Sequence, residues 1–94
     1  MIHRHEQGRK TVLQVNESFG PREEERLNTV LQHLDPERPI TIDFREVRQF
    51  HDLAVARLAR DIVALHRDVS LIGLSEHHHR LLRYIGLRSV QPVA

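Results

Sequence analysis

The sequence predicts an α/β domain with a mixed sheet of four or five strands and three helices packed mainly on one face. Short runs of apolar and β-branched residues alternate along the chain with longer segments whose apolar residues recur every three or four positions. Strand–helix–strand order favours parallel neighbours with right-handed crossovers, and an opening hairpin adds an antiparallel edge. The 94 residues suffice for one core, so we expect a single domain over residues 1–94.

The first two strands are expected to form that hairpin. Residues 2–7 alternate weakly, and Gly8 offers a turn. In residues 10–16, Thr11, Leu13 and Val15 share one face of a β-branched run, which is typical of a strand. The first strand should therefore lie at the edge of the sheet.

The first helix is predicted to begin at Pro21 and to end before Pro36, because the residue before a proline avoids the helical region. Residues 23–25 are all Glu and fall in its first turn, where the helix dipole favours acids. We expect these three glutamates to face solvent. The apolar stripe of this helix consists of Leu27, Val30, Leu31 and Leu34.

The second helix is expected to open at Asp52 as its N-cap, and the third to follow Ser75 and stop at Gly86. Each has an apolar stripe at helical spacing. The stripes consist of Val55, Leu58, Ala59, Ile62 and Val63 in the second helix, and of Leu81, Leu82 and Ile85 in the third.

The remaining strands lie between and after these helices. Residues 40–44 alternate, and we expect a loop over residues 45–51. Residues 69–74 are almost continuously apolar, which is typical of a central strand covered on both faces. Residues 89–93 leave a fifth strand open, and Pro92 would confine it to an edge.

Composition narrows the classes of function. Aromatic residues make up only 4%, which argues against a stacking platform for nucleic acid, and the net charge of +1 gives no basic patch. Cysteine is absent, which excludes thiol nucleophiles and thiolate metal sites. The chain shows neither a signal peptide nor an apolar run of membrane-spanning length. We therefore expect a cytoplasmic protein that does not insert into membranes or bind nucleic acid.

Three stretches of the sequence occur together in a characteristic order. They are residues 42–47 (IDFREV), residues 49–58 (QFHDLAVARL), and residues 71–75 (LIGLS) with residues 81–87 (LLRYIGL). In this order and spacing they resemble the STAS domain family, named for sulfate transporters and anti-sigma factor antagonists. The first stretch is similar to the family's strand ending in Asp-Leu-x-x-Val. The second lies where the family has Asp-Ser-Ser-Gly-Leu-Gly-x-Leu, and the third is similar to its closing strand and helix.

The resemblance implies a non-catalytic regulatory protein that docks on a partner such as an anti-sigma factor kinase. In bacterial regulatory members, the kinase phosphorylates the first Ser of the motif and so ends docking. In this chain that position holds Asp52, a phosphosite equivalent without a hydroxyl, whose carboxylate would give a fixed, partly phosphate-like charge. The resemblance places the partner-binding residues on the loop and first turns of the second helix: His51, Asp52, Leu53, Ala56 and Arg57.

Alternatives to this interpretation stay open. Asp52 would be a good N-cap whatever the function. A small-ligand or nucleotide sensor is a second class, although the chain has no Gly-rich phosphate loop. A soluble STAS-like subunit of a membrane transport complex is a third. Catalysis is not expected, because His51 and Asp52 have no nucleophile beside them. The partner, the direction of regulation and the oligomeric state stay open.

Three consecutive histidines, residues 77–79, raise the question of a metal. Consecutive side chains on a helix point in different directions, whereas helical metal ligands are typically spaced i, i+3 or i, i+4. We therefore expect no dedicated metal site and no cofactor. His78 shares a face with Leu82 and should be partly buried, while His77 and His79 should face solvent.

Overall fold

The computed structural model describes residues 2–85, which form a four-stranded mixed sheet with three helices. This confirms the predicted fold class. The predicted helix stop at Gly86 and the optional strand over residues 89–93 lie outside the described residues. The elements are β1 (Ile2–Gln7), β2 (Lys10–Phe19), α1 (Pro21–His33), β3 (Ile40–Phe50), α2 (Asp52–Leu65), β4 (Val69–Ile72) and α3 (Glu76–Ile85).

The strands lie in the order β1-β2-β3-β4. β1 is antiparallel to β2, as the hairpin predicted, and the β2–β3 and β3–β4 pairs are parallel. Each of the three parallel strands is followed by a helix. The three helices therefore all begin at the same edge of the sheet, where the parallel strands end.

β2 and β3 extend further than the sequence predicted. The loop expected over residues 45–51 is wrong, because β3 continues to Phe50. The extra residues pair in parallel with the end of β2, up to Phe19 opposite Phe50, with register shifts on either side of Asn16 and Glu17. The two segments are strands because they pair with each other, and this pairing cannot be read from the residue pattern of either segment alone.

The core lies between the sheet and the helices. Phe19 and Phe44 meet edge to face there, with ring centroids 5.0 Å apart. Burying each large apolar side chain contributes about 1.5–3 kcal/mol relative to exposure. Most residues of the predicted stripes are buried, and Val30, Leu81 and Ile85 are half-buried. Val63 is 45% exposed because it lies at the edge of the stripe centred on Ile62. Core residues include Leu13, Val15, Ile42, Phe44 and Leu71 from the sheet and Leu27, Leu31, Leu58, Ile62 and Leu82 from the helices.

A close backbone approach lies at one end of the sheet. Near the edge where the helices begin, Gly73 has φ 85°, and a Cβ there would lie 2.5 Å from the backbone nitrogen of Arg45. Only glycine lets the turn after β4 pass this close to β3.

Among the described residues, no helix is both long and apolar enough to span a membrane.

At the opposite end, the Arg67 guanidinium binds backbone carbonyls at the end of α1 and in the loop after it. Nη1 donates to the carbonyls of Leu31 at 2.8 Å and Leu34 at 3.1 Å. Nη2 donates to the carbonyls of Asp35 and Arg38. One side chain thus satisfies acceptors that a helix terminus leaves unpaired.

Candidate functional site

The candidate site is the junction where β3 ends and α2 begins. His51 has an extended backbone (φ −105°, ψ 121°), and its N–H donates to the Phe19 carbonyl at 3.1 Å. Its carbonyl accepts the N–H groups of Ala54 at 3.0 Å and Val55 at 3.2 Å. His51 is therefore the N-cap, and Asp52 is the first helical residue, which corrects the predicted cap by one position. The reason is that pairing with β2 holds His51 extended.

The Asp52 carboxylate is exposed and contacts α3. Its side chain is 63% exposed, with Oδ2 lying 3.1 Å from His77 Nε2 and Oδ1 lying 3.2 Å from His78 Nε2. The hydrogen bond with His77, followed by that with His78, holds the pKa of Asp52 below its usual value. The carboxylate is therefore ionised at neutral pH, and it joins the first turns of two helices.

His78 is the buried member of this group, and its ring orientation is fixed by three contacts. The imidazole packs on Phe50 with a centroid distance of 4.7 Å, and Nδ1 lies 2.7 Å from Ser75 Oγ. Ser75 Oγ also accepts the backbone N–H of His78 at 3.3 Å, so Ser75 caps α3 as predicted. With its other nitrogen on Asp52, the ring links α3 to the start of α2.

The three histidines are placed differently from the sequence prediction in one respect. His77 is exposed and His78 is buried, but His79 is only 4% exposed rather than solvent-facing. Leu82 is fully buried, and residues 78 and 79 lie four and three positions before it, so both fall on the inward face. Helix spacing alone also missed the contact of His77 and His78 with Asp52, because side chains that diverge from one helix can still meet a group from another.

All five predicted partner-binding residues lie along the first turns of α2 and the residue before it. Leu53 is 58% exposed, Arg57 is exposed and Ala56 is half-buried. Their i, i+3, i+4 spacing puts these three on one side of the helix. We call the set the α2 strip; it consists of His51, Asp52, Leu53, Ala56 and Arg57.

Another carboxyl group close to the α2 strip is buried, in contrast to that of Asp52. Glu24 of α1 is 4% exposed, which overturns the expectation that all three glutamates face solvent. Its burial, and then its hydrogen bond with Asp61 of α2, raise the pKa of Glu24 to about 8, while Arg57 acts in the opposite direction. Glu24 therefore carries a proton at neutral pH. An acidic run in a first helical turn gave no signal for this, because the burial comes from packing of α1 on α2.

Comparison with known proteins identifies a family and similar solved structures. The family model described as "Mlab, STAS domain" matches residues 2–92. Among solved structures, the unphosphorylated form of the anti-sigma factor antagonist SpoIIAA is similar, with a TM-score of 0.67 and 11% identity over 100% of this chain and 90% of that chain. At this identity the similarity concerns the fold. The comparison with curated proteins finds no match.

Proposed function

Since this chain belongs to the STAS domain family, we propose that it is a regulatory protein that docks on a partner protein through the α2 strip. The observation that carries the proposal is an exposed apolar side chain, Leu53 at 58%, next to the ionised Asp52 and one turn from the Arg57 guanidinium. Protein interfaces combine an apolar centre with a polar rim in this way. The proposal assigns no catalytic role to these residues.

The backbone of the α2 strip is held in place before any partner arrives. His51 is bonded to β2 through its N–H and to the first turn of α2 through its carbonyl. On the other side, Asp52 is held by two imidazoles of α3. A surface whose geometry is already fixed loses little conformational entropy on binding, which favours affinity.

We further propose that Asp52 occupies the position of the serine that regulatory members of the family phosphorylate. Phosphorylation would change the charge there by about −1.5 to −2. A carboxylate instead gives a constant single negative charge, so recognition by the partner would not be switched at this side chain. In an anti-sigma type of system, the kinase would still be the docking partner but would find no hydroxyl at residue 52.

The constant charge also favours a second candidate, a soluble subunit of a membrane transport complex. A subunit that stays bound needs no switch at its interface, and a side chain without an acceptor hydroxyl suits that role. The two candidates share the docking surface and differ in the partner.

Capture of partners from the native cell tests both. Asp52→Arg should reduce capture by about tenfold or more, because it reverses the charge beside the exposed Leu53. Asp68→Arg is the matched control: it reverses an exposed acid beyond the other end of α2, a helix of 14 residues and therefore about 21 Å long.

Unfolding curves should show that both variants are folded. Equal capture by Asp52→Arg and the wild type would contradict docking through the α2 strip. If capture depends on Asp52, the identity of the captured protein, determined by mass spectrometry, separates the candidates. A signalling kinase favours the first, and a transport ATPase or permease favours the second.

A further inference from the structure

We propose that Asp52, His77 and His78 bind one divalent transition-metal ion, of which Zn²⁺ is the best-suited example. A carboxylate oxygen of Asp52 and one nitrogen of each histidine lie within 4.8 Å of one another. The ligands come from the first turns of α2 and α3, so the ion would join the two helices. This inference goes beyond the docking proposal and does not rest on it.

Each imidazole already lies near one oxygen of the carboxylate, at a distance close to that between two ligands of a tetrahedral site. His77 Nε2 lies 3.1 Å from Asp52 Oδ2, and His78 Nε2 lies 3.2 Å from Asp52 Oδ1. With metal–ligand bonds of about 2.0–2.1 Å, the ligand atoms of a tetrahedral zinc site are about 3.3–3.4 Å apart. The Asp52 and His77 side chains are 63% and 67% exposed, so they are free to make this small adjustment.

His78 is the ligand that the protein orients in advance. Its side chain is 9% exposed and its ring packs on Phe50. Metal-binding histidines usually donate the N–H of their other ring nitrogen to a neighbouring group, and here Nδ1 lies 2.7 Å from Ser75 Oγ. That oxygen has two lone pairs, so it can accept both Nδ1–H and the backbone N–H of His78. The Nε2 lone pair is then directed to the ion.

The ligand set decides the class of metal. Two imidazole nitrogens and one carboxylate oxygen suit Zn²⁺, Ni²⁺ and Cu²⁺, whereas Mg²⁺ and Ca²⁺ prefer oxygen ligands. Three protein ligands leave a fourth tetrahedral position for water. Binding should weaken in acid, because an imidazole must be neutral to bind a metal.

Calorimetric titration of the protein with Zn²⁺ alone at neutral pH tests the site. We expect saturable binding of one ion per chain, and no binding of Mg²⁺. Asp52→Asn and His77→Asn should each weaken Zn²⁺ binding by about tenfold or more. Both positions are exposed, so these variants should keep the fold, which circular dichroism will verify.

The chain has eight histidines, so a matched control is needed. His66→Asn removes another exposed histidine, at φ 52°, a conformation that asparagine tolerates. This control should bind Zn²⁺ as the wild type does. The proposal is overturned if the wild type shows no saturable binding up to millimolar Zn²⁺. It is equally overturned if Asp52→Asn and His77→Asn bind as tightly as His66→Asn.

Discussion

Glu24 and Asp52 each lie in the first turn of a helix, but their surroundings act on them in opposite directions. Glu24 is 4% exposed and its pKa is raised to about 8, chiefly by burial. The Asp52 side chain is 63% exposed and its pKa is lowered, chiefly by a hydrogen bond with His77. Helix dipoles favour an anion in both places, so they do not explain the difference. Burial and the nearest partner do, because an acid faces Glu24 and imidazoles face Asp52.

The difference between the two acids distinguishes a contact that only packs two helices together from a surface that is available to a partner. The α1–α2 contact holds a neutral acid out of water, while the α2–α3 contact presents an ionised one. Arg57 is common to the α2 strip and to the surroundings of Glu24, because its charge lowers the pKa of that acid. A partner carboxylate that binds the Arg57 guanidinium would therefore favour the protonated form of Glu24.

The buried Glu24 should cause the largest effect, a loss of stability as the pH rises. The pKa of Glu24 is about 8 in the folded state against 4.5 for an ordinary glutamate, so between these values the folded state binds more protons. The stabilisation is complete below the lower value and is lost as the pH rises through the upper one. Urea unfolding from about pH 5 to about pH 9 should show a decrease on the order of a few kcal/mol.

Glu24→Gln should remove most of that decrease, because glutamine keeps the shape and cannot ionise. Asp52→Asn should retain it. A Glu24→Gln variant with the slope of the wild type would show that another group takes up the proton, and the contrast between the two acids would then be lost.

Ser75→Ala should have a smaller effect, about 1 kcal/mol, through loss of the cap of α3. It also removes the oxygen that orients His78, so Zn²⁺ binding should weaken as well. Urea unfolding and Zn²⁺ titration measure the two effects. Ser70→Ala, in β4, is the control for removing a hydroxyl elsewhere and should leave Zn²⁺ binding unchanged. Unchanged Zn²⁺ binding in Ser75→Ala would mean that Ser75 does not orient the ligand.

Asp52→Asn should have the smallest effect on stability, because its carboxylate is exposed and solvent screens its contacts. The pKa of Asp52 lies below 3.8 in the folded state, so its contribution is present above that value and is lost as the pH falls through the folded one. Urea midpoints of variant and wild type should therefore differ slightly at neutral pH and converge in strong acid. A difference in stability at neutral pH as large as the effect of Glu24 would contradict the assignment of Asp52 as the exposed, weakly coupled acid.

The sequence predicted those helices and strands whose apolar residues repeat regularly because a single face packs on the core. Leu58 and Ile62 of α2 follow the helical period because a single side of the helix meets the sheet, and Pro21 begins α1 as expected. The pairing of residues 46–50 with residues 16–19 could not be predicted in this way. It depends on two segments that are distant in the chain and irregular in register.

The candidate site was predicted from the start of α2 alone. The prediction therefore missed the side chains that α1 and α3 bring to it. The exposed position of Asp52 followed from residue preferences at helix termini. Its contact with His77 and His78 joins segments 25 and 26 residues apart, and only the common starting edge of the helices could have indicated it. The burial of Glu24 depends on the approach of Asp61 from another helix, which no feature of the acidic run reveals.

The carbonyl oxygens bound by Arg67 have a consequence for the order of folding. They belong to residues 29 to 36 positions earlier in the chain, so their donor is made well after them on the ribosome. These carbonyls of α1 and of the connection to β3 therefore lack the Arg67 donor until the far end of α2 has packed against them. Because contacts of long sequence separation form slowly, this connection should be among the last parts of the nascent chain to gain protection from amide hydrogen exchange.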